Sequence, residues 1–420
     1  MDDFEKTRID GIWQYSLMDA LANRRSIRFP RGCEITDAPY TFKSEQGPVP
    51  LTDLELAILC WAGHGITGTI AGELDVTCNT FNSWVGRTHP NPCNDQKQYL
   101  LFYNDDGIFI YNPKGSNATV EIKTPDDREK ILTQYKEGLI KIQDGRPVFP
   151  PPAFLKMNQW KENKPGTTTF MPVNDLVYEY INMLFAIADD ERWQLVDMMT
   201  GKAAGVQKWI DNGYLNGPPV PVNMLESLMA IGVTSTGQYM LQNIALAATA
   251  MGLNGHPWGG FTGLIVMGGT PFTRGLGFRY VTGKDMMPTP VGIDGHIQSM
   301  VPPYVKNVDE AVDIYLNDKF GSKGMFTEGY EGSVPFKDKT IPSKIRRPSE
   351  ESEEIVRAYV NYVYNTYGRF PAFVDALIIP AAYTATHADF DFYKKYHPEE
   401  YLTDTIRNHM DVWHSPETVE

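Results

Sequence analysis

Residues 98–111 carry the sequence QYLLFYNDDGIFIY, in which two apolar and aromatic runs flank a short polar segment. Tyr, Phe, Leu and Ile in such runs favour β-strands. The polar segment, Asn104 to Gly107, supplies the residue types that a tight turn needs. The pattern predicts a β-hairpin, and hence an antiparallel pair of strands at this point of the chain.

Outward from this hairpin, helical periodicity and capping residues predict several helices. The most evenly apolar one runs from Gln238 to Met251, which predicts burial on every side, in a core or against a partner subunit. A short strand is expected at 264–267. The other predicted helices cover 13–21, 52–63, 174–198, 203–211, 307–320 and 349–368.

The composition is that of an acidic globular protein. Lys and Arg number 38 and Asp and Glu 52, which gives a formal charge of −14 and argues against a general grip on nucleic-acid phosphates. The first residues lack the features of a secretory signal, and Gly, Pro, Asn and Gln interrupt the apolar region 227–273 too often for a membrane span. The four cysteines show no zinc-like spacing. These features predict a cytoplasmic protein without a membrane or nucleic-acid partner.

Two basic clusters stand out against this charge. Arg24, Arg25 and Arg28 surround the hydroxyl of Ser26, a density of donors suited to a phosphate or another oxyanion. A second cluster, KIRR, occupies residues 344–347. The two clusters could converge on one phosphate. A solvated helix end for the first, and independent surface clusters, would explain the pattern too.

Two loops carry groups able to pair with a planar heterocycle. Residues 90–96, PNPCNDQ, offer side-chain amides between prolines, although these are also ordinary turn residues. Residues 256–261, HPWGGF, contain adjacent glycines whose N–H groups could approach a ring without side-chain obstruction, although a tight turn is the commoner use of such a pair. His256 and His296 could donate protons in a pocket or be hydrogen-bonded core residues.

Taken in order, these segments resemble the flavin-binding pattern of the nitroreductase family, the FMN-dependent oxidoreductases with an α+β fold. The Arg-Arg-Ser-x-Arg run resembles the opening signature of that family, and residues 90–96 resemble its Pro-Ser-x-x-Asn-x-Gln loop. Residues 242–253 and 257–260 are similar to its buried helix and to the loop beneath the flavin, and the Lys-x-Arg of residues 344–346 resembles its C-terminal phosphate clamp.

The resemblance implies a set of residues that bind FMN. Gly259 or Gly260 would donate a backbone N–H to flavin N5, and Asn94 would face the isoalloxazine ring. No catalytic side chain is implied. The implied cofactor-binding residues are Arg24, Arg25, Ser26, Arg28, Asn94, Gln96, Pro257, Trp258, Gly259, Gly260, Lys344 and Arg346.

The resemblance also implies an architecture and a reaction. A central, mostly antiparallel sheet flanked by helices would occupy residues 1–346, with insertions at about 112–172 and 268–343, and a helical extension would cover 347–420. The composition of the first insertion predicts irregular surface structure. A homodimer would bind FMN, and hydride would pass from NADH or NADPH to an unidentified organic substrate through N5.

Two alternatives stay open, one compatible with the large insertions and the other motivated by two departures from the family. Lys97-Gln98 stands where many members have Pro-Trp, and the residue at Gly259 is often an acid in the family. One alternative is a flavin dehydrogenase or oxidase acting on an organic or peptide-heterocycle substrate. The other is a non-catalytic protein that binds flavin or another ligand on the same fold.

His387, Asp389, Asp391 and His397 invite a metal-binding interpretation, because imidazole and carboxylates suit iron or zinc. The neighbouring residues are largely Phe and Tyr, and polar groups in such surroundings more often form hydrogen bonds in a packed core or a lid. No metal ion is therefore expected.

Overall fold

The structure, a computed structural model, describes residues 1–73, 78–114, 120–378 and 380–414. Its strands are β1 (Glu34–Ile35), β2 (Phe42–Lys43), β3 (Ile66–Thr69), β4 (Val85–Arg87), β5 (Gln98–Tyr103), β6 (Gly107–Tyr111), β7 (Leu139–Asp144), β8 (Thr168–Asn174), β9 (Gln194–Asp197), β10 (Lys202–Ala203), β11 (Pro219–Pro221), β12 (Asn254–Trp258), β13 (Arg279–Thr282), β14 (Pro288–Ile293), β15 (Ile297–Gln298) and β16 (Ala382–Thr386). Its α-helices are α1 (Asp3–Gln14), α2 (Leu17–Asn23), α3 (Asp53–His64), α4 (Lys130–Gly138), α5 (Val177–Phe185), α6 (Gln207–Asp211), α7 (Val222–Met251), α8 (Gly263–Met267), α9 (Val308–Phe320), α10 (Glu350–Tyr367), α11 (Val374–Ile378), α12 (Phe390–Tyr396), α13 (Asp404–Arg407) and α14 (His409–Trp413). Within these residues, none of the helices combines the length and the apolar character that crossing a bilayer requires.

The predicted hairpin lies inside a six-stranded sheet. Strands β5 and β6 pair antiparallel, with Phe102 opposite Phe109. The strand order across the sheet is β12-β16-β8-β5-β6-β7, and every neighbouring pair is antiparallel. The prediction of a mixed helix and sheet protein with an antiparallel central sheet is confirmed.

Side chains of the central strands alternate between two hydrophobic cores, as the two-residue period of a strand requires. Leu101 and Ile110 belong to one core, to which α5, α9 and α10 contribute. Leu100 and Phe102 belong to the other, which is formed with α3, α4 and the second half of α7. Both faces of the sheet are therefore covered by helices.

Helix α7 begins at Val222, well before the predicted start at Gln238. Gly232 and Gly237 lie in the part that was not predicted, and glycine lowers helix propensity. Close packing against the sheet offsets the low helix propensity of glycine. A Cβ atom at Gly237 would come within 3.0 Å of Pro172 in β8, so a larger residue would hold the helix away from the sheet. The close contact between helix and sheet requires a small residue at this point.

Several strands come from segments that the sequence assigned otherwise. The expected irregular structure of 112–172 is wrong in part, because β7 and most of β8 belong to the central sheet. The part after residue 346 is not all helical, because β16 lies between β12 and β8. Residues 264–267 form part of a helix, α8, because a short apolar run does not distinguish helix from strand. The division of domains at residue 346 stays a prediction.

Candidate functional site

The first basic cluster lies in an extended segment directly after α2. Ile27 and Phe29 are buried, whereas Arg28 between them is exposed. The hydroxyl of Tyr393 accepts hydrogen bonds of 2.9 Å from the backbone N–H groups of Arg28 and Phe29. The ring of Phe29 stacks on that of Phe392, with centroids 4.2 Å apart. These contacts fix the basic segment against α12 while the Arg28 side chain stays accessible.

Within the described ranges, the arginines of this cluster form no ion pair with an acid. Among the described residues, no carboxylate oxygen lies within 4.0 Å of the guanidinium groups of Arg24, Arg25 or Arg28. Arg24 reaches the hydroxyl of Ser26 at 3.5 Å, and Arg25 donates to the carbonyl groups of Ala22 and Arg24. In a chain with 52 acidic residues, three arginines within five positions that meet no acid in the described part of the chain favour an external anion.

The glycine pair follows β12, which pairs with β16. Pro257 lies opposite Tyr383, and the indole N–H of Trp258 donates to the hydroxyl of Thr384 at 2.9 Å. Gly259 is exposed, and a Cβ atom there would meet a backbone oxygen at 3.2 Å. The carbonyl group of Gly260 accepts hydrogen bonds from the backbone of Leu155 and from the side chain of Asn158.

Strand β16 connects the strand that precedes the glycine pair with the first basic cluster. Beyond its end, Ala388 forms an isolated antiparallel bridge with Pro30, two residues after the arginine cluster. The positive charge of Arg28 contributes to lowering the pKa of His256, which belongs to β12, although burial contributes most. The structure therefore brings the first basic cluster and the segment that precedes the glycine pair to the same part of the fold.

A buried acid–base group, which the sequence indicated only through His256, lies at this place. The carboxylate of Glu162 contacts Lys161, His256 at 2.7 Å and the hydroxyl of Thr384 at 2.6 Å. Burial alone would raise the pKa of Glu162, but His256 and Lys161 lower it, so the carboxylate is ionised. Burial lowers the pKa of both Lys161 and His256. The group can hold or pass a proton, and no spacing in the sequence indicates it, since Lys161 and His256 are 95 residues apart.

The side-chain amides of the 90–96 loop bind protein groups. Asn94 donates to the carbonyl group of Ser83, and Gln96 accepts from Arg87 and donates to the carbonyl group of Val85. These bonds fix the loop against β4. Roles for Asn94 and Gln96 in flavin binding stay predictions.

Gln96 also lines a cavity of about 240 Å³ with Asp95, Lys97, Tyr178 and Asp318. Burial raises the pKa of Asp95 to about 7. Nearby, burial raises the pKa of Glu179 to about 8. These protonatable carboxyl groups were not identified from the sequence, because aspartate and glutamate are common and their burial is decided by tertiary packing.

The second basic cluster forms ion pairs with acidic side chains. The guanidinium group of Arg346 lies 3.0 Å from Asp189 and 3.4 Å from Asp190, just after α5. The amino group of Lys344 lies 3.3 Å from Asp338. A role for Lys344 and Arg346 in holding the same phosphate as the first cluster stays a prediction.

The four residues weighed as metal ligands do not act as one group. Asp389 caps α12 and accepts a hydrogen bond from Ser44. The ring of His397 stacks on that of Tyr401, with centroids 5.0 Å apart. His387 instead lies beside Glu55 and two further histidines, His409 and His414. One signal was available, because four of the eight histidines fall within 387–414.

Comparisons with known proteins identify no family for this chain. No protein-family model matches it, and no curated protein is similar to it in sequence. Among solved structures, it is similar to a crystal structure of a candidate nitroreductase from Ralstonia eutropha JMP134, with 13% sequence identity and a TM-score of 0.25. The match covers 59% of this chain and 70% of that chain. A likeness of this size supports no conclusion about fold or activity.

Proposed function

We propose that this chain is an FMN-dependent oxidoreductase that transfers hydride between NADH or NADPH and an organic substrate. The observation that carries the proposal is the arginine cluster, which has no acidic partner among the residues that the structure describes and which lies beside the strands that lead to the glycine pair. The order of the motifs along the chain supports the same interpretation. The nitroreductase-like fold, the homodimer and the cytoplasmic location belong to this proposal.

The residues of the first cluster fit a phosphate. Arg24, Arg25 and Arg28 provide guanidinium donors that can bind two oxygens at once, and Ser26 adds a hydroxyl. Gly259 suits a close approach to a planar ring, because it is exposed and has no side chain. Lys344 and Arg346 fit less directly, since binding a phosphate would compete with their present ion pairs.

When bound, FMN would supply the hydride chemistry that protein side chains lack. In this proposal, the residues of the chain bind and orient the cofactor and the substrate. The arginines hold the phosphate, and the backbone after β12 donates hydrogen bonds to the ring. The Lys161, Glu162 and His256 group holds a proton in a water-poor setting near Arg28.

The same acid–base group favours a second candidate function. A flavin dehydrogenase or oxidase that removes hydride from an organic substrate also needs a group that accepts a proton, and His256 beside Glu162 meets that need. Anaerobic addition of candidate substrates separates the two functions. Bleaching of the flavin absorbance by NADH or NADPH supports the first, whereas bleaching by an organic substrate without nicotinamide supports the second.

The cofactor proposal predicts a yellow protein that releases FMN on denaturation. Substitution of Arg24 or Arg28 by Ala should weaken FMN binding roughly 10- to 150-fold, because a charge-assisted hydrogen bond contributes roughly 1.5 to 3 kcal/mol. Fluorescence titration of the apoprotein with FMN measures the dissociation constant. Arg279→Ala is the control, because this arginine pairs with Asp294 at an exposed site.

A wild-type protein that stays colourless after incubation with FMN would exclude the cofactor. Unchanged affinity in both arginine variants would exclude the proposed phosphate site. Arg346→Ala tests the second cluster in the same titration. Weaker FMN binding would add this residue to the phosphate site, and unchanged binding would remove it.

A further inference from the structure

Four metal-ligating side chains meet in the interior, where the carbonyl group of one of them, His387, accepts a hydrogen bond from the backbone N–H of Arg31. Glu55 lies in the first turn of α3, His387 follows β16, His409 begins α14 and His414 follows α14. Their exposed fractions are 0%, 3%, 3% and 5%. Three imidazoles and a carboxylate have therefore been moved out of water together, which is costly unless each group is paired.

The ligand atoms all lie within 4.8 Å of one another, and four of the six distances between them are near the spacing of a coordination shell. The Oε1 atom of Glu55 lies 2.8 Å from Nε2 of His409, 3.2 Å from Nε2 of His387 and 3.4 Å from Nε2 of His414. The Nε2 atoms of His387 and His414 are 3.0 Å apart. A tetrahedral ion with ligand bonds of about 2.0 to 2.1 Å would place its ligand atoms about 3.3 Å apart.

Hydrogen bonds at the far side of the His387 and His409 rings determine which nitrogen carries a proton. Nδ1 of His387 lies 2.9 Å from the carbonyl oxygen of Val49, and Nδ1 of His409 lies 2.7 Å from that of Met251. A carbonyl oxygen only accepts, so each Nδ1 carries a proton. In a neutral imidazole, Nε2 then has a lone pair, and this lone pair faces the carboxylate of Glu55. A second-shell carbonyl group that orients the ring in this way is typical of metal-binding histidines.

A cation at the centre of the cluster matches the ligand atoms that face it. The two Nε2 atoms of His387 and His414 cannot both be donors to each other. A cation between the lone pairs satisfies all four groups at once.

The carboxylate and its surroundings are also fixed. The second oxygen of Glu55 accepts from the backbone N–H of Thr52 at 2.6 Å and from its hydroxyl at 2.9 Å. A small cavity of about 10 Å³, lined by His387, His409 and Asn254, adjoins the cluster. The amide of Asn254 is 1% exposed, and neither its oxygen nor its nitrogen has a hydrogen-bond partner among the described residues. The space suits about one water molecule and excludes an organic substrate.

We propose that Glu55, His387, His409 and His414 bind one divalent transition-metal ion of the zinc type, and that the ion has a structural role. Three nitrogen ligands and one oxygen ligand suit zinc, and four protein ligands complete a tetrahedral shell without an open position for substrate. The ion joins α3 to the C-terminal segment 387–414 across more than 300 residues of sequence. This site is independent of the flavin proposal.

The test is the metal content of the full-length chain. The protein is stripped with a chelator, loaded with Zn²⁺, freed of excess metal and analysed by inductively coupled plasma mass spectrometry. We expect about one zinc ion per chain. His409→Ala and His414→Ala should weaken Zn²⁺ binding by more than the roughly 10- to 100-fold that loss of an outer-shell partner costs. His397→Ala is the matched control, since this histidine lies in the same segment and stacks on Tyr401.

Two further measurements keep the test decisive. Cobalt loaded in place of zinc should give the intense visible absorption of a tetrahedral site, and thermal unfolding should shift down on chelation and return on reloading. A folded wild-type chain that binds no stoichiometric Zn²⁺ overturns the proposal, whether or not the variants fold. Stoichiometric zinc that both histidine variants retain also overturns it. FMN content, measured on the same samples, shows whether loss of zinc leaves FMN binding unchanged and so whether the zinc and FMN proposals fail separately.

Discussion

His64 and His89 form a buried pair of imidazoles on the side of the molecule where α3 meets β4. Nδ1 of His64 lies 3.0 Å from Nε2 of His89, and the rings are nearly parallel. Burial lowers the pKa of His89 to about 4, and the nearby charge of Arg87 acts in the same direction. Burial also lowers the pKa of His64. Both rings are therefore neutral in the folded protein near neutral pH.

This pair predicts a loss of stability in mild acid. The unfolded chain protonates His89 near pH 6.5, whereas the folded chain does so near pH 4. Between these values the unfolded state binds more protons, so the free energy of unfolding falls as the pH falls, by about 2 kcal/mol from this residue at pH 5. Urea unfolding of the wild type and of His89→Gln, at neutral pH and near pH 5, measures the difference.

His296→Gln is the control for this measurement, because its imidazole is exposed. It should keep the wild-type change in stability between the two pH values. The same pH dependence in His89→Gln as in the wild type would show that this ring is not buried in its neutral form.

The individual residues of the candidate site were predictable to different degrees. The arginine cluster is visible in the sequence because three like charges close together are unusual in an acidic chain. The acid–base group of Lys161, Glu162 and His256 is not, because its members come together only when β12 lies beside the 156–164 segment. The same holds for Glu55 and the histidines around it, which belong to opposite ends of the chain.

Helix α7 carries an apolar stripe that the rest of the described chain does not cover. Met224, Leu228 and Ile231, spaced by four and three residues, are 62%, 53% and 63% exposed. Helix α2 packs against α7, and its residues Leu17 and Met18 are also exposed, at 64% and 70%. Such a surface favours an interface. An interface that included α2 would adjoin the proposed phosphate site, because α2 ends directly before the arginine cluster.

This stripe predicts where the proposed homodimer forms. Ile231→Asp should convert a dimer to a monomer, because it places a charge in an apolar contact. Sedimentation equilibrium measures the mass. Phe272→Asp is the control, since Phe272 is 87% exposed in a loop outside α7 and should leave the mass unchanged. A monomeric wild type, or a variant that stays dimeric, would contradict this assignment.

At the scale of the molecule, the C-terminal segment is part of the main fold. Strand β16 lies between β12 and β8, and Ala382 and Ala385 are fully buried. Three of the four proposed metal ligands, His387, His409 and His414, come after this strand. The protein therefore completes its central sheet with residues from close to the C-terminal end of its described part.

This topology predicts that β16 unfolds together with the central sheet. In native-state hydrogen exchange, the hydrogen-bonded amides of β16 should be as slow as those of β5, because both strands have neighbours on two sides. The amides of the exposed turn at 294–296 serve as a fast-exchange reference. Fast exchange in β16 beside slow exchange in β5 would show that the C-terminal segment is a separate unit.

Local patterns in the chain were enough to predict the hairpin of β5 and β6, the caps of α3 and α10 and the density of arginines after α2, because turn chemistry, capping and charge depend on residues close in sequence. The place of β8 and β16 in the sheet, the length of α7 and the meeting of Glu55 with three distant histidines depend on contacts between remote segments. Those contacts bury polar groups and select partners for them. Only the folded chain could therefore reveal the acid–base group and the candidate metal centre.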